Sequence, residues 1–499
     1  MDFTQSATGV SGRSGGLDGP DGLSRGSTLS CTGKLRALSK HGATTQGSRR
    51  PSNQVGRWLR RFGGAGIAAG GGAGFLPFDP LGTAHAARPW PLSALGGFLT
   101  KKTGVKRVLI LMSNTGGGHK ASADALKSGF EQLYRGKYEI NVVDLWMEHT
   151  PYPFNQLPKT YSFLVNNAWM WRILYFLSNP RFMHGSGMAM AATICYDRVS
   201  ECIELYNPDL IISVHPLMQH VPMRVLIDRM RRGVQKPIAF ATVVTDFTTC
   251  HNSWFHPGVT QCFVPTEFCA ELAKRMNLKG DQITVHGLPI RPDFSKSLPA
   301  KATLRKRLGM DKEKPAVLLV GGGEGMGKLE QIVDAIAAEV GSSCQVVVIC
   351  GRNTKLVTKL EEREYPEGMR VFVNGFVNNM NEWMSACDAV VTKAGPGTIA
   401  EALICGTPIL LNGFVPGQEE GNIPYVLDNK VGAFERQPNG IANVIKDWFT
   451  AKQDILKEMS QRAKSLGRPE ALFRIVEDLA RFADHPFLYH QTQVATQMA

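Results

Sequence analysis

The stretch Val108-Leu-Ile-Leu-Met-Ser-Asn-Thr-Gly-Gly-Gly-His119 decides how this chain is to be read. Five consecutive apolar residues without polar alternation describe a strand buried on both faces, as in a parallel sheet covered by helices. Three glycines then turn the backbone, and Leu126, Phe130 and Leu133 recur at helical spacing. Further strand-like runs stand at residues 210–214, 238–244 and 283–286, with helical stretches between them. Pro289, Pro292 and Pro299 punctuate the chain and place a domain boundary near residue 297.

The device then repeats. Ala316-Val-Leu-Leu-Val320 runs into Gly321-Gly322-Gly323-Glu324-Gly325-Met326-Gly327, and strand-like runs follow at residues 346–350, 371–373, 389–391 and 408–411. Two successive β-α series, each opening on a buried strand and a glycine turn, predict an α/β protein of two Rossmann-like domains. Ligands of such sheets bind at the carboxyl ends of the strands, so the active site is expected in the cleft between the halves. The expected boundaries are 101–297 for an N-terminal acceptor and membrane-binding domain and 298–485 for a C-terminal nucleotide-binding domain with a terminal helix. Residues 486–499 read as a tail.

Length and composition agree. A chain of 499 residues exceeds one hydrophobic core. Its 43% hydrophobic and 20% charged residues are globular values, which argues against wholesale disorder and against a coiled coil. No run of about 18 uncharged apolar residues offers a transmembrane helix. Ten cysteines without a C-x-x-C pair argue against a zinc ribbon or a dense disulfide framework, and read as thiols in a reducing compartment. Of the net charge of +13, residues 1–100 carry +7, from eleven Lys/Arg against four Asp. Those residues hold 21 of the 52 glycines, many Ser and Thr, and no sustained hydrophobic period. This is the composition of a disordered organelle transit segment. The mildly basic remainder suits an anionic substrate or an anionic membrane better than nucleic acid.

Four motifs carry chemistry. In the first turn, Gly117 and Gly118 allow close approach of backbone to a ligand, and His119 opens a helix whose N–H groups face an anion. The turn is neither a dinucleotide fingerprint nor a P-loop. The tract Gly321 to Gly327 suits phosphate, alongside the reading of a turn shaped by packing alone. In Lys393-Ala394-Gly395-Pro396-Gly397-Thr398-Ile-Ala-Glu401, the helix start and the Thr398 hydroxyl suit a diphosphate, and Glu401 a ribose diol. In Pro416-Gly417-Gln418-Glu419-Glu420-Gly421-Asn422, amide and carboxylate groups suit sugar hydroxyls, although a Glu-Glu pair is ordinarily two solvated charges. Between Tyr152 and Phe182 lie nine aromatic residues mixed with Arg172 and Arg181. The segment reads as an amphipathic element in a lipid headgroup layer, the other reading being a first-domain core.

In combination these motifs, with Thr245-Asp-Phe-Thr-Thr-Cys-His251 and Trp254-Phe-His256, resemble the monogalactosyldiacylglycerol synthases of plastids, relatives of the bacterial peptidoglycan glucosaminyltransferase. The resemblance runs from about residue 105 to about residue 482. It implies a GT-B fold, UDP-galactose as donor, diacylglycerol as acceptor and inversion at the sugar carbon. It also implies a peripheral, monotopic protein at the plastid envelope, at its inner membrane, activated by anionic lipid such as phosphatidic acid or phosphatidylglycerol. A homodimer is a further possibility. Other readings are another UDP-sugar or lipid acceptor, or a regulator that binds without turnover.

No Asp-x-Asp occurs, so no metal is expected and the diphosphate is left to amides and to Lys393 or Arg352. The expected donor contacts are Gly321, Gly322, Gly323, Glu324, Gly325, Gly351, Arg352, Lys393 to Thr398, Glu401, Gln418 and Glu419, with uracil near Gly375, Phe376 and Val377. The acceptor or lipid is assigned to Gly117, Gly118, Pro153, Arg224 and Trp254. The catalytic base is expected from the first half. His119 is preferred for its ordinary pKa near ~6.5, with Asp246 second at an ordinary ~3.9.

Overall fold

A computed structural model of the protein describes residues 104–485, apart from 116, 180, 324 and 326. The expected transit segment, the tail and Glu324 lie outside the described residues.

Six strands form the first sheet: β1 (Lys106–Met112), β2 (Tyr138–Asp144), β3 (Leu210–Ser213), β4 (Ala239–Val243), β5 (Gln261–Val264) and β6 (Ile283–Val285). Their order is β2-β1-β3-β4-β5-β6 and every pair is parallel. The apolar run of β1 is buried because its side chains enter two different cores. Leu109 and Leu111 face one and Val108, Ile110 and Met112 the other. The order reverses direction between β1 and β3, which opens a crevice beyond their carboxyl ends. The Gly-Gly-Gly-His turn lies there.

The second sheet holds β7 (Ala316–Val320), β8 (Gln345–Ile349), β9 (Arg370–Asn374), β10 (Ala389–Lys393), β11 (Ile409–Gly413) and β12 (Gly432–Phe434). Its order, β12-β11-β10-β7-β8-β9, is the 3-2-1-4-5-6 pattern of dinucleotide-binding folds. The reversal falls between β7 and β10, the two strands that lead into the tract from Gly321 and into Ala394-Gly395-Pro396-Gly397.

One expectation is corrected. The helix Ala471–Asp484, assigned by sequence to the second half, packs on the first. Its apolar face, with Leu472, Ile475, Val476 and Leu479, joins Val108, Ile110, Leu126 and Phe130 in one core. His286 Nε2 bonds Asp478 at 2.8 Å, and Lys137 pairs with Asp484 at 2.7 Å. The preceding helix Gln453–Leu466 still belongs to the second half, where Ser460 donates to the Gly406 carbonyl at 2.6 Å. The chain therefore crosses back at Gly467 to Glu470. An amphipathic period shows that a face is buried, not against which sheet.

The aromatic segment forms two helices, Leu157–Asn166 and Ala168–Ser178. Phe163, Trp169, Ile173, Leu174, Phe176 and Leu177 are exposed, while Tyr175 turns inward. Trp169, Ile173 and Phe176 recur at i, i+4 and i+7, so they share one outer face. Among the described residues no helix is long and apolar enough to cross a membrane.

Candidate active site

The site is assembled from loops that follow strand ends on both sides of the cleft. From the first half come His119, at the start of helix Gly118–Leu133, and Asp246, just beyond β4. From the second comes the loop after β11, containing Gln418 and Glu419. The halves are joined where these loops meet. Thr248 Oγ1 donates to Asn422 Oδ1 at 2.6 Å, and the Gly421 N–H donates to Thr249 Oγ1 at 2.9 Å.

His119 is buried and held through one nitrogen. Nδ1 lies 3.0 Å from the Val214 carbonyl and 2.8 Å from Thr245 Oγ1. A carbonyl only accepts, so Nδ1 carries the proton and Nε2 keeps its lone pair. Burial lowers the His119 pKa to about 4, with the Val214 bond opposing. His215 stacks edge-on against it, ring centroids 4.6 Å apart, and is held well below the ordinary histidine value by burial first and by His119 second. His119 is therefore a neutral acceptor.

Asp246 is equally buried. Burial raises its pKa to about 6, the Trp254 and Gln418 hydrogen bonds oppose the shift, and the Glu419 charge adds to it. This reverses the order expected from ordinary values. In the folded protein Asp246 holds a proton more tightly than His119 does, because burial acts in opposite directions on an acid and on an imidazole.

Trp254, expected as a wall of the acceptor site, is instead 0% exposed and stands behind Asp246. Its indole N–H donates to Asp246 Oδ2 at 2.7 Å, and its ring leans on His119 at 6.0 Å. It fixes the two groups rather than lining a surface. Arg224 is exposed on helix His220–Arg231 and donates to the Ala189 carbonyl at 3.3 Å, a contact that does not reach Asp246 or His119. Pro153 is exposed just ahead of the aromatic helices, and Gly117 and Gly118 are exposed beside His119.

In the second half, Lys393 ends β10 at a register shift: Thr392 pairs with Leu411 but Lys393 with Gly413. Such a bulge re-aims the side chain. Its ammonium meets Glu419 Oε1 at 2.5 Å. Glu419 is buried and its Oε2 accepts from the Val415 N–H at 2.9 Å, so the reading of solvated charges fails for it. Glu420 ties the same loop, accepting from the Gly417 N–H at 3.3 Å. Ala394, Gly395, Pro396, Gly397 and Thr398 form the start of helix Pro396–Cys405, with Gly395 as its N-cap and Pro396 in the first turn. The Ala394 carbonyl accepts from Asn422 Nδ2 at 2.8 Å.

Glu401, partly buried, is already bonded at Oε1 by Arg291 at 2.8 Å, an ion pair that sequence spacing did not suggest. Its pKa is raised by burial against the opposing Arg291 charge. The tract from Gly321 folds onto the next turn: the Arg352 N–H donates to the Gly323 carbonyl at 2.9 Å, and Gly351 lies against Gly322 and Gly323. Phe376 is 60% exposed with the Arg352 guanidinium 5.7 Å from its ring centre, between the half-buried Gly375 and Val377.

Tyr161, Tyr175, Thr245 and His215 were not assigned to the site from sequence. Tyr161 donates to Gln418 Oε1 at 3.1 Å, and Gln418 Nε2 faces Asp246 Oδ1 at 3.5 Å. The two tyrosines lie in the aromatic run, where composition suggests a membrane face and conceals a site face. Among the described residues no three His, Cys, Asp or Glu side chains converge as a metal site. All nine described cysteines are free thiols.

A nucleotide-sheet half and a second Rossmann-like half, meeting at a carboxylate, a neutral histidine and a lysine, fit an enzyme that transfers a group from a nucleotide. Two family models agree: the monogalactosyldiacylglycerol synthase model matches residues 119–290, and the glycosyltransferase family 28 C-terminal domain model matches residues 316–472. The chain is a glycosyltransferase. It is 50% identical over 380 residues to the probable chloroplastic monogalactosyldiacylglycerol synthase of Nicotiana tabacum, covering 75% of this chain and 70% of that protein. To the Spinacia oleracea synthase it is 49% identical over 380 residues, covering 75% and 72%. The protein belongs to the monogalactosyldiacylglycerol synthase family. Among solved structures, the MurG of Acinetobacter baumannii aligns at 13% identity and TM-score 0.48, over 75% of this chain and 99% of that one. The two-sheet architecture rests on the strand orders themselves.

Proposed function

We propose that this protein transfers galactose from UDP-galactose to the free hydroxyl of 1,2-diacylglycerol, with inversion, at the surface of a plastid envelope membrane. The observation that carries the reading is the meeting of Asp246 with Gln418 across the cleft, beside Glu419 and Lys393. It puts a proton acceptor from one half against a polar, sugar-compatible loop from the other. The chloroplastic names of the relatives support the location. The exposed apolar face of the aromatic helices supports peripheral docking, and beside it the exposed Arg172, 3.8 Å from Glu420, adds a cation at that surface.

Asp246 takes the acceptor hydroxyl proton as the oxygen attacks the anomeric carbon from the face opposite UDP. It holds the proton more tightly than His119 and is mostly ionised at neutral pH. His119 orients the same hydroxyl through the Nε2 lone pair that its Nδ1 bond leaves free. The departing diphosphate is met by the N-terminus of helix Pro396–Cys405, by the amides of the tract from Gly321, and by Lys393. Glu401 and the Gly375 to Val377 turn serve the nucleoside, and Gln418 and Glu419 the hexose. Labelled UDP-galactose with diacylglycerol in vesicles, with and without phosphatidic acid or phosphatidylglycerol, tests the reading. Galactolipid formed with inversion supports it; transfer only from another UDP-sugar, or UDP binding without turnover, overturns it.

A further inference from the structure

Two tyrosines on the helices that carry the exposed apolar face point the opposite way, into the cleft. Tyr161 donates to Gln418 Oε1 at 3.1 Å. Tyr175 is 6% exposed, and its ring lies so close to the sugar loop that a Cβ on Gly417 would stand 2.7 Å from Cδ1. Its ring also meets His251 edge-on at 5.1 Å. Among the described residues the buried Tyr175 hydroxyl has no hydrogen-bond partner. Leaving such a group unbonded away from water is costly, and an unbonded group at a cleft is a place for a ligand. Burial raises its pKa first, and the nearby Asp246 charge raises it further, so the phenol stays protonated and able to donate.

The partners of Gln418 settle its amide. An ionised Asp246 carboxylate only accepts, so Nε2 must face it. Oε1 then faces Tyr161, whose hydroxyl must be the donor. Without that hydroxyl Oε1 loses its donor, and the amide is held only by the longer 3.5 Å contact of Nε2 with Asp246.

We propose that Tyr161 and Tyr175 complete the sugar subsite, Tyr161 as a positioning residue that sets the Gln418 amide and Tyr175 as a donor to a hydroxyl of the transferred hexose. This rests on the reading above that the hexose lies against Gln418 and Glu419. The specificity for one hexose then depends on helices outside both Rossmann sheets.

The test uses the full chain as Tyr161→Phe, Tyr175→Phe and Gln418→Ala. Each is measured for KM and kcat with UDP-galactose and with UDP-glucose, for UDP affinity by calorimetry, and for Tm. The expected result is a KM for UDP-galactose raised about three- to tenfold in each Phe variant, with the preference over UDP-glucose reduced and UDP affinity unchanged. Because the Tyr175 hydroxyl bonds none of the described residues, Tyr175→Phe is expected to keep or raise Tm, and a loss of preference at unchanged Tm is not a loss of fold. If both Phe variants keep wild-type KM and preference while Gln418→Ala raises KM, the tyrosine proposal is overturned and the site reading stands. If Gln418→Ala also leaves KM unchanged, the placement of the hexose falls with it.

Discussion

The two glycine turns look alike in sequence and differ in what the glycines are for. In the first, Gly117 takes φ +79° as the cap of helix Gly118–Leu133, and a Cβ there or on Gly118 would meet nothing within 4 Å. Among the described residues of this turn only Gly117 takes a left-handed backbone, and the surroundings of Gly117 and Gly118 ask nothing more. In the second, a Cβ on Gly325 would stand 2.1 Å from the Cys350 carbonyl oxygen, and one on Gly351 would stand 2.4 Å from that of Gly323. These glycines exist because two loops lie backbone against backbone. The first turn delivers a side chain, His119, to the cleft. In the proposed reading the second builds a floor of main-chain amides for the diphosphate. A glycine-rich turn after a buried strand thus signals close approach without saying whether the approaching partner is a ligand or the protein itself.

The chemistry of the first region gives the largest expected effect. Asp246→Asn keeps the shape and a carbonyl for the Trp254 indole, and should lower kcat by ~10²–10⁴ while UDP affinity holds. The pH profile separates the two candidate bases. A base must be unprotonated, so kcat/KM is full above its pKa and falls as pH drops through it. With Asp246 at about 6, activity at pH 5 should be about a tenth of the plateau. With His119 at about 4 as base, about nine-tenths would remain. An acid limb near pH 4, unmoved by Asp246→Asn, would return the role to His119.

The second region predicts a structural effect. Gly325→Ala adds a backbone clash to a left-handed conformation, φ +59°, and should destabilise the protein by about 2–4 kcal/mol. It should also weaken UDP binding, because the floor of amides cannot keep its shape. Thermal melting and calorimetry check both. The same change at Gly117 meets only the backbone term, so Gly117→Ala should cost about 1 kcal/mol and leave UDP affinity alone. Equal losses in the two variants would erase the distinction between the turns.

How much of this could be read from sequence follows from burial. Central strands such as β1 and β7 announce themselves because both faces are covered, which forces five apolar residues in a row. β2 was not legible: Tyr138-Glu-Ile-Asn-Val-Val-Asp144 is an edge strand, and its half-covered face admits polar residues. β5 and β12, Gln261-Cys-Phe-Val264 and Gly432-Ala-Phe434, are as short as β3 and β6 but poorer in the β-branched residues that mark those two. The motifs brought His119, Asp246, Gln418 and Glu419 into view, because loops after strand ends are where ligands of this fold lie. The relative basicity of His119 and Asp246 was not legible. It depends on how completely three elements bury them, and ordinary pKa values gave the opposite order. Tyr161 and Tyr175 were hidden for a related reason: an aromatic run shows amphipathic material but not which rings face the cleft.

The smallest expected effect is none, and it probes the floor of amides itself. If the tract from Gly321, the N-terminus of helix Pro396–Cys405 and Lys393 receive the diphosphate, a divalent ion has no task there. Fixed N–H dipoles and one ammonium already oppose the charge that develops on the leaving group. Three described acidic groups of the site are each committed: Glu419 to Lys393 and the Val415 N–H, Asp246 to Trp254, and Glu401 to Arg291. Activity should therefore persist at full rate after exhaustive EDTA treatment and be insensitive to added Mg²⁺ or Mn²⁺. Loss with EDTA that only such an ion restores would mean that the second glycine tract is packing alone and that the charge is met elsewhere. Persistence in wild type, combined with loss of UDP binding in Gly325→Ala, would assign the electrostatic role to the backbone of the second turn and leave the first turn with the proton.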